Sequence, residues 1–170
     1  EAIEEYEIAM QKLHKVSDSE KLQEKVLIQL IPTLIRMGRM DEAKAHLDQM
    51  KQMNDYQHSR FIENIFQAYY YLYNNDMDKV RKYIQEAEEW YEYYPFYFHS
   101  SILKYIQAEY AKRIGDDELA IKLYNELTIN TSSANVYNRY LKMKNSLAHL
   151  YTKQSRPREA CAIFQDINIA

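Results

Sequence analysis

The chain has 170 residues and a formal net charge of −3, enough length for one domain with a real core and too little positive charge for non-specific nucleic-acid binding. Apolar residues make up 46% and charged residues 28%, as in ordinary globular domains. With only 2 Gly and 3 Pro, Gly-rich phosphate loops are excluded and hairpin turns have little material. The predicted class is therefore all-α.

The elements follow in chain order. The opening "EAIEEYEIAMQKL" already has mid-helix character and is predicted as a half repeat over 1–16. It suggests a fragment of a longer protein. A helix pair is predicted over 19–53. Its first helix, "KLQEKVLIQLIPTLIRM", follows Ser17-Asp18-Ser19-Glu20, which fits a capping box. Pro32 lies inside that helix and should kink it or break a hydrogen bond. This is also the longest apolar stretch, and Gln29 and Pro32 interrupt it well short of a membrane span. A second pair is predicted over 57–94, bounded by Asn54-Asp55 and Pro95. A third runs over 96–130. A fourth runs over 134–168, after Thr131-Ser132-Ser133.

Five segments align without gaps: "EAIEEYEIAM", "DEAKAHLDQM", "DKVRKYIQEA", "ELAIKLYNEL" and "REACAIFQDI". Each has a small residue, a large apolar one four later and another apolar one three after that. The sets are Ala2/Tyr6/Ala9, Ala43/Leu47/Met50, Val80/Ile84/Ala87, Ala120/Tyr124/Leu127 and Ala160/Phe164/Ile167. Any amphipathic helix gives this spacing. The added information is the small first residue and its recurrence at 41, 37, 40 and 40 residues. Five residues before it stand Gly38, Asn75, Gly115 and Ser155, which tolerate a left-handed turn. Helix-start residues follow: Asp41, Asp78, Asp116 or Asp117, and Pro157. The pattern is a repeated helix-turn-helix, nine helices in all.

On these residues the chain resembles the tetratricopeptide repeat family. Small residues stand twelve before the Ala-like slot at Ala68, Ala108 and Ala148, with Ile31 the exception. The aromatic slot holds Tyr71 and Tyr151, but Leu34 and Ala111 in the other pairs. The family's opening Trp is replaced by Leu27, Asn64, Lys104 and Lys144, and the closing Pro is missing. The resemblance implies an α-solenoid of antiparallel helix pairs, a superhelix whose first helices line a concave groove for a protein or peptide. Carried over residue by residue, the groove would hold Ile28, Pro32, Ile35 and Arg36, then Ile65, Tyr69, Leu72 and Tyr73. Tyr105, Glu109, Lys112 and Arg113 follow, then Asn145, His149, Thr152 and Lys153. Rings and aliphatics suit side chains, and Arg and Lys suit a carboxylate. The family's paired Lys/Asn carboxylate clamp is absent, since Ile28 and Pro32 replace it. The roughly forty-residue period and the 17 tyrosines also resemble the sensory arrays of bacterial signalling proteins. That would place the chain in the periplasm if it belongs to a membrane sensor and in the cytoplasm otherwise.

Tyr6, Tyr71, Tyr124 and Tyr151 fall on packing slots. Trp90, Tyr91, Tyr93 and Tyr94 cluster before Pro95, either packed on the next pair or exposed to a partner. His14, His46, His58, His99 and His149 lie far apart and make no zinc-type spacing. Glu86, Glu88, Glu89 and Glu92 read as a solvated helix face. Cys161 reads as a buried small hydrophobe on the apolar face of the last helix. No catalytic residue, metal or cofactor is expected. The leading expectation is a non-catalytic interaction module. Its rival is a scaffold that forms a homodimer or larger assembly through its end helices, with an empty groove.

Overall fold

The computed structural model describes residues 2–13, 15, 19–53, 57–91, 97–129 and 137–169. Among the described residues the chain is all α-helix, with no strand. The helices are α1 (Ala2–Leu13), α2 (Glu20–Arg36), α3 (Met40–Gln52), α4 (Gln57–Tyr73), α5 (Met77–Tyr91), α6 (Tyr97–Ile114), α7 (Asp117–Ile129), α8 (Tyr137–Lys153) and α9 (Pro157–Ile169). They pack in adjacent pairs, as in an α-solenoid.

Four junctions join the first helix of a pair to the second, and their backbone bonding is the same. Gly38, Asn75, Gly115 and Ser155 all have positive φ, at 75°, 59°, 86° and 58°. At the first junction the Gly38 amide donates to the Ile35 carbonyl and the Arg39 amide to the Leu34 carbonyl. The equivalent pairs recur from Asn75 and Asp76 to Leu72 and Tyr71, from Gly115 and Asp116 to Lys112 and Ala111, and from Ser155 and Arg156 to Thr152 and Tyr151. This is the Schellman arrangement, which satisfies carbonyls that a helix end would orphan. The residue after the left-handed one caps the next helix. Its carbonyl accepts the first intrahelical bond, from Ala43, Val80, Ala120 or Ala160. The recurring small residue is thus the fourth helical position, where the second helix leaves the turn.

The caps differ from expectation at two junctions. Asp41 and Asp78 lie inside the first turn, and the caps are Arg39 and Asp76. Asp76 Oδ1 accepts from the Lys79 amide at 3.2 Å, and Asp116 Oδ1 from the Leu119 amide at 3.1 Å, each a side-chain cap. Arg39 and Arg156 cannot accept. They donate instead to Glu42 and Glu159, three residues on. Arg39 also reaches Glu7 of α1 at 3.3 Å. The capping box expected at α2 falls partly on undescribed residues. Ser17 and Asp18 lie outside the described residues, and Ser19 makes no side-chain cap bond. Its hydroxyl donates backward to the Leu13 carbonyl at 2.7 Å and accepts from Gln23 Nε2. Nor does Pro32 break α2, which runs on to Arg36. The only backbone bond it removes is the one to the Ile28 carbonyl.

The chain divides into two compact units, Glu1–Leu103 and Lys104–Ala170, with the division inside α6. In the first, α1 packs on α2, α2 on α3 and α4, α3 on α4, and α4 on α5. Its core includes Leu27, Leu30, Ile31, Leu34 and Ile35 of α2, Ala43, Leu47 and Met50 of α3, Phe61, Ile62, Ile65, Phe66 and Ala68 of α4, and Val80, Ile84 and Ala87 of α5. Each fully buried Leu or Ile contributes roughly 2 kcal/mol. In the second unit α7 packs on α8 and α8 on α9. One cluster joins Ala108 and Ala111 of α6 to Ala120, Tyr124 and Leu127 of α7, Met143, Leu147, Ala148 and Tyr151 of α8, and Ala160 and Ile163 of α9.

The packing slots behave as the spacing predicts in α3, α5 and α7, where all nine are buried. The outer segments depart from it. Tyr6 and Ala9 are only half-buried, and the Ala2 side chain lies outside the described residues. Phe164 is 40% exposed, although Leu47 and Tyr124 in the same slot are fully buried. Those two are covered by the helix that follows them, α4 or α8, whereas α9 is the last helix described. Cys161 is exposed, not buried. One residue on from Ala160 is 100° round the helix, off the packing face.

The positions compared above with an opening Trp carry polar ties in the second unit. Lys104 donates to Glu126 at 2.7 Å, and Lys144 to Asp166 at 3.2 Å. Both ties cross from the first helix of a pair to the same slot of the second. Asn64 occupies this position in α4 and is buried, beside buried Glu63 and Gln67. Gln67 Nε2 donates to Glu63 Oε1 at 3.4 Å, while Gln67 Oε1 has no partner among the described residues.

Candidate functional site

The expected groove residues fall into two sets, one in each unit. In the first unit, α2 and α4 pack directly on each other. Apolar side chains on that seam go into the core, so Ile65, Ile35 and Leu72 are buried and do not face a ligand. Tyr69 is buried as well. Its ring meets Tyr73 edge-on, with centroids 5.2 Å apart and an interplanar angle of 77°. Tyr73 is 41% exposed. Arg36 is exposed and donates to Thr33 Oγ1 at 3.1 Å. Thr33 in turn donates to the Gln29 carbonyl at 2.8 Å. Ile28 and Pro32 are half-buried. What this face offers is Arg36 and Tyr73, each braced by a neighbour one turn back.

Tyr71 does not face that way. Its ring stacks on Tyr83 of α5, 5.6 Å apart and 4° from parallel, with the Lys79 ammonium 4.6 Å from its centroid. Lys79 pairs with Asp76 at 2.9 Å and Lys82 with Glu86 at 3.7 Å. These charges are compensated, and the stack ties α4 to α5. Trp90 is half-buried. The Tyr91 side chain and the whole of Tyr93, Tyr94 and Pro95 lie outside the described residues, as do His14 and the side chains of His58 and His99.

In the second unit the expected residues form a connected network. Glu109 of α6 is buried and takes three bonds. The Tyr124 hydroxyl of α7 donates to Oε1 at 2.5 Å, and Lys112 Nζ lies 3.0 Å from Oε1 and 2.8 Å from Oε2. Lys112 also donates to Ser146 Oγ of α8 at 3.0 Å. Burial pushes the Tyr124 hydroxyl far above its ordinary value of 10.0, and the adjacent Glu109 charge pushes it the same way. It therefore stays a neutral donor. Tyr105 is half-buried against the same core. Arg113, Asn145, His149, Thr152 and Lys153 are exposed. Lys153 is held by Asp117 at 2.5 Å, and Asp117 Oδ1 is buried without a partner among the described residues.

Spacing alone misses Ser146 and the hydroxyl of Tyr124. Glu109 and Lys112 are visible as an i, i+3 pair, but their other partners stand on different helices. The one available signal is that a buried tyrosine needs somewhere to put its hydroxyl. Among the described residues no three His, Cys, Asp or Glu side chains gather as metal ligands, and no helix is long and apolar enough to cross a membrane. Comparison of the chain with protein families, with curated proteins and with solved structures returned no match.

Proposed function

We propose that the chain is a polypeptide-binding helical-repeat module of the tetratricopeptide type, without catalysis of its own, serving as the sensing or scaffolding part of a larger bacterial signalling or regulatory protein. The supporting observation is one slot at the end of each first helix. Arg36, Tyr73, Arg113 and Lys153 occupy it, and all four are exposed. On the same helices the packing face is buried, while residues such as Gln29, Ile114 and Lys142 are exposed as well. Tyr and Arg are enriched among the residues that dominate protein interfaces, and three of the four positions carry one, while Lys153 in the fourth pairs with Asp117.

The test is Tyr73→Ala combined with Arg113→Glu, which touches an exposed position in each unit and leaves both cores intact. Partners captured by the wild type and identified by mass spectrometry should be lost or weakened by the folded double variant. If every partner is retained at its original affinity, the assignment of this face is wrong.

A second reading is supported by Phe164. A scaffold that self-associates through its end helix would use this exposed ring in a slot that is otherwise buried. Sedimentation would then show a mass that rises with concentration, falls for Phe164→Ala and ignores the double variant above.

A further inference from the structure

Among the 17 tyrosines, one pair is set apart by geometry. Tyr71, near the end of α4, and Tyr83 of α5 stack with ring centroids 5.6 Å apart and planes 4° from parallel. The other described tyrosine pairs, Tyr69 with Tyr73 and Tyr70 with Tyr71, meet edge-on at 77° and 86°. Edge-on contact aims the hydrogens of one ring at the face of the other. Parallel rings can instead slide edge to edge without turning over. Both rings of the stack are half-buried, so they are supported from within and reached from without. Tyr69, Tyr124 and Tyr151 are buried, and their rings cannot swing out of the core.

The bend between the helices holds the stack in place. The Tyr71 carbonyl accepts the Asp76 amide in the Schellman turn. Asp76 in turn accepts from the Lys79 amide at 3.2 Å and pairs with the Lys79 ammonium at 2.9 Å. The backbone on both sides of the turn is thus fixed beneath the two rings.

The surrounding charges favour one chemistry. Lys79 Nζ lies 4.6 Å from the Tyr71 centroid, and Lys82 Nζ 5.3 Å from that of Tyr83. A cation beside each ring opposes a positive charge on the ring itself. An electron therefore leaves together with the phenolic proton, and the product is a neutral phenoxyl radical. Burial raises the Tyr83 hydroxyl above its ordinary range. At neutral pH the reacting group is the phenol, not the phenolate.

We propose that Tyr71 and Tyr83 form an oxidative modification site, joined into a covalent bityrosine by a one-electron oxidant such as a peroxide-activated haem. Each phenol gives one electron to one equivalent of oxidant and its hydroxyl proton to solvent. The two phenoxyl radicals pair their spins in one carbon–carbon bond between ring positions beside the oxygens. The hydrogens on those two carbons then shift to the oxygens and restore both phenols. Two electrons and two protons leave in all. The new bond closes a short loop around Asn75 and staples α4 to α5. It does not depend on what the exposed face at Tyr73 binds.

The experiment is photo-oxidation of the dilute protein with tris(bipyridine)ruthenium(II) and persulfate. The monomer is then isolated for intact mass, bityrosine fluorescence and a peptide map. It should be lighter by two hydrogens, fluoresce, and give a cross-linked peptide joining Tyr71 to Tyr83. Tyr71→Phe and Tyr83→Phe each keep a stacked ring and should each lose the monomer fluorescence. Tyr70→Phe, which alters the half-buried ring edge-on to Tyr71, should retain it. Monomer fluorescence that survives either stack variant, or is lost equally in Tyr70→Phe, overturns the proposal. So does a cross-link mapped to other tyrosines, or one formed only between molecules. If one stack variant does not fold, the other decides together with the wild-type peptide map.

Discussion

Tyr124 shows how much one side chain can be asked to do. Its ring fills a core slot, and its hydroxyl supplies the Glu109 carboxylate with a donor from another helix. Because burial and Glu109 raise its ionisation well above 10.0, the neutral hydroxyl is favoured by the folded state. A group with a raised folded value contributes stability that is complete below its unfolded value and is lost as pH rises past it. Denaturant midpoints should therefore fall above about pH 10, more steeply for the wild type than for Tyr124→Phe. Equal slopes would mean that the hydroxyl ionises in place. At neutral pH the same variant should lose about 1–2 kcal/mol, since it strips a donor from a buried carboxylate. None of this was legible in the spacing, which marks Tyr124 as a large apolar residue and nothing more. Cys161 was misread for the complementary reason. Its neighbour Ala160 is on the packing face, and a single residue of offset turns a side chain away from it.

At the level of the element, the junctions carry most of the specification. The left-handed residues and the small residue five later were legible, because steric demands on a few backbone positions leave a fixed mark in sequence. The arginine caps were not, because Arg has no acceptor and acts only through Glu42 or Glu159. The four left-handed positions are unequal in strain. Glycine occupies two of them, and Asn75 and Ser155 hold φ near 60° with a Cβ present. Ser155→Gly should therefore stabilise the second unit by about 0.5–1 kcal/mol, while Gly38→Ala should destabilise the first by at least about 1 kcal/mol. Thermal melts of the two variants moving in the same direction would refute the assignment. The groove positions were legible only as far as the resemblance reached. It located Arg36, Tyr73 and Arg113 on the exposed side. It could not show that Ile65 and Tyr69 are consumed by packing, which depends on how closely α2 and α4 approach.

For the molecule as a whole, the surface charges set the acid limit. Glu42 is held below the usual carboxylate range by its hydrogen bond to Arg39, Asp76 by the Lys79 side chain and amide, and Glu126 by Lys104. Glu159 is held down first by its own backbone amide and then by Arg156. A depressed folded value gives stability that is present above the unfolded value and lost as pH falls through it. The ordinary values are 4.5 for the glutamates and 3.8 for the aspartate. Melting temperature should thus be level from pH 7 to about 5 and decline below it. Two of these groups lie in each unit, so both should share the decline. A melting temperature that holds steady to pH 3 would show that these pairs contribute nothing.

The four matching junctions also bear on how such a chain can be lengthened. A cut at any left-handed residue leaves the same two carbonyls to satisfy upstream and the same small residue waiting downstream. A block taken from one junction to the next can be copied or excised without inventing a new bend. The cap pairs Arg39–Glu42, Asp76–Lys79 and Arg156–Glu159 each lie wholly downstream of the left-handed residue, so a transplanted block keeps its own cap. What does not travel freely is a contact that spans the cut, such as Arg39 reaching back to Glu7 of α1, which makes the repeats interchangeable in their bends but not in their neighbours.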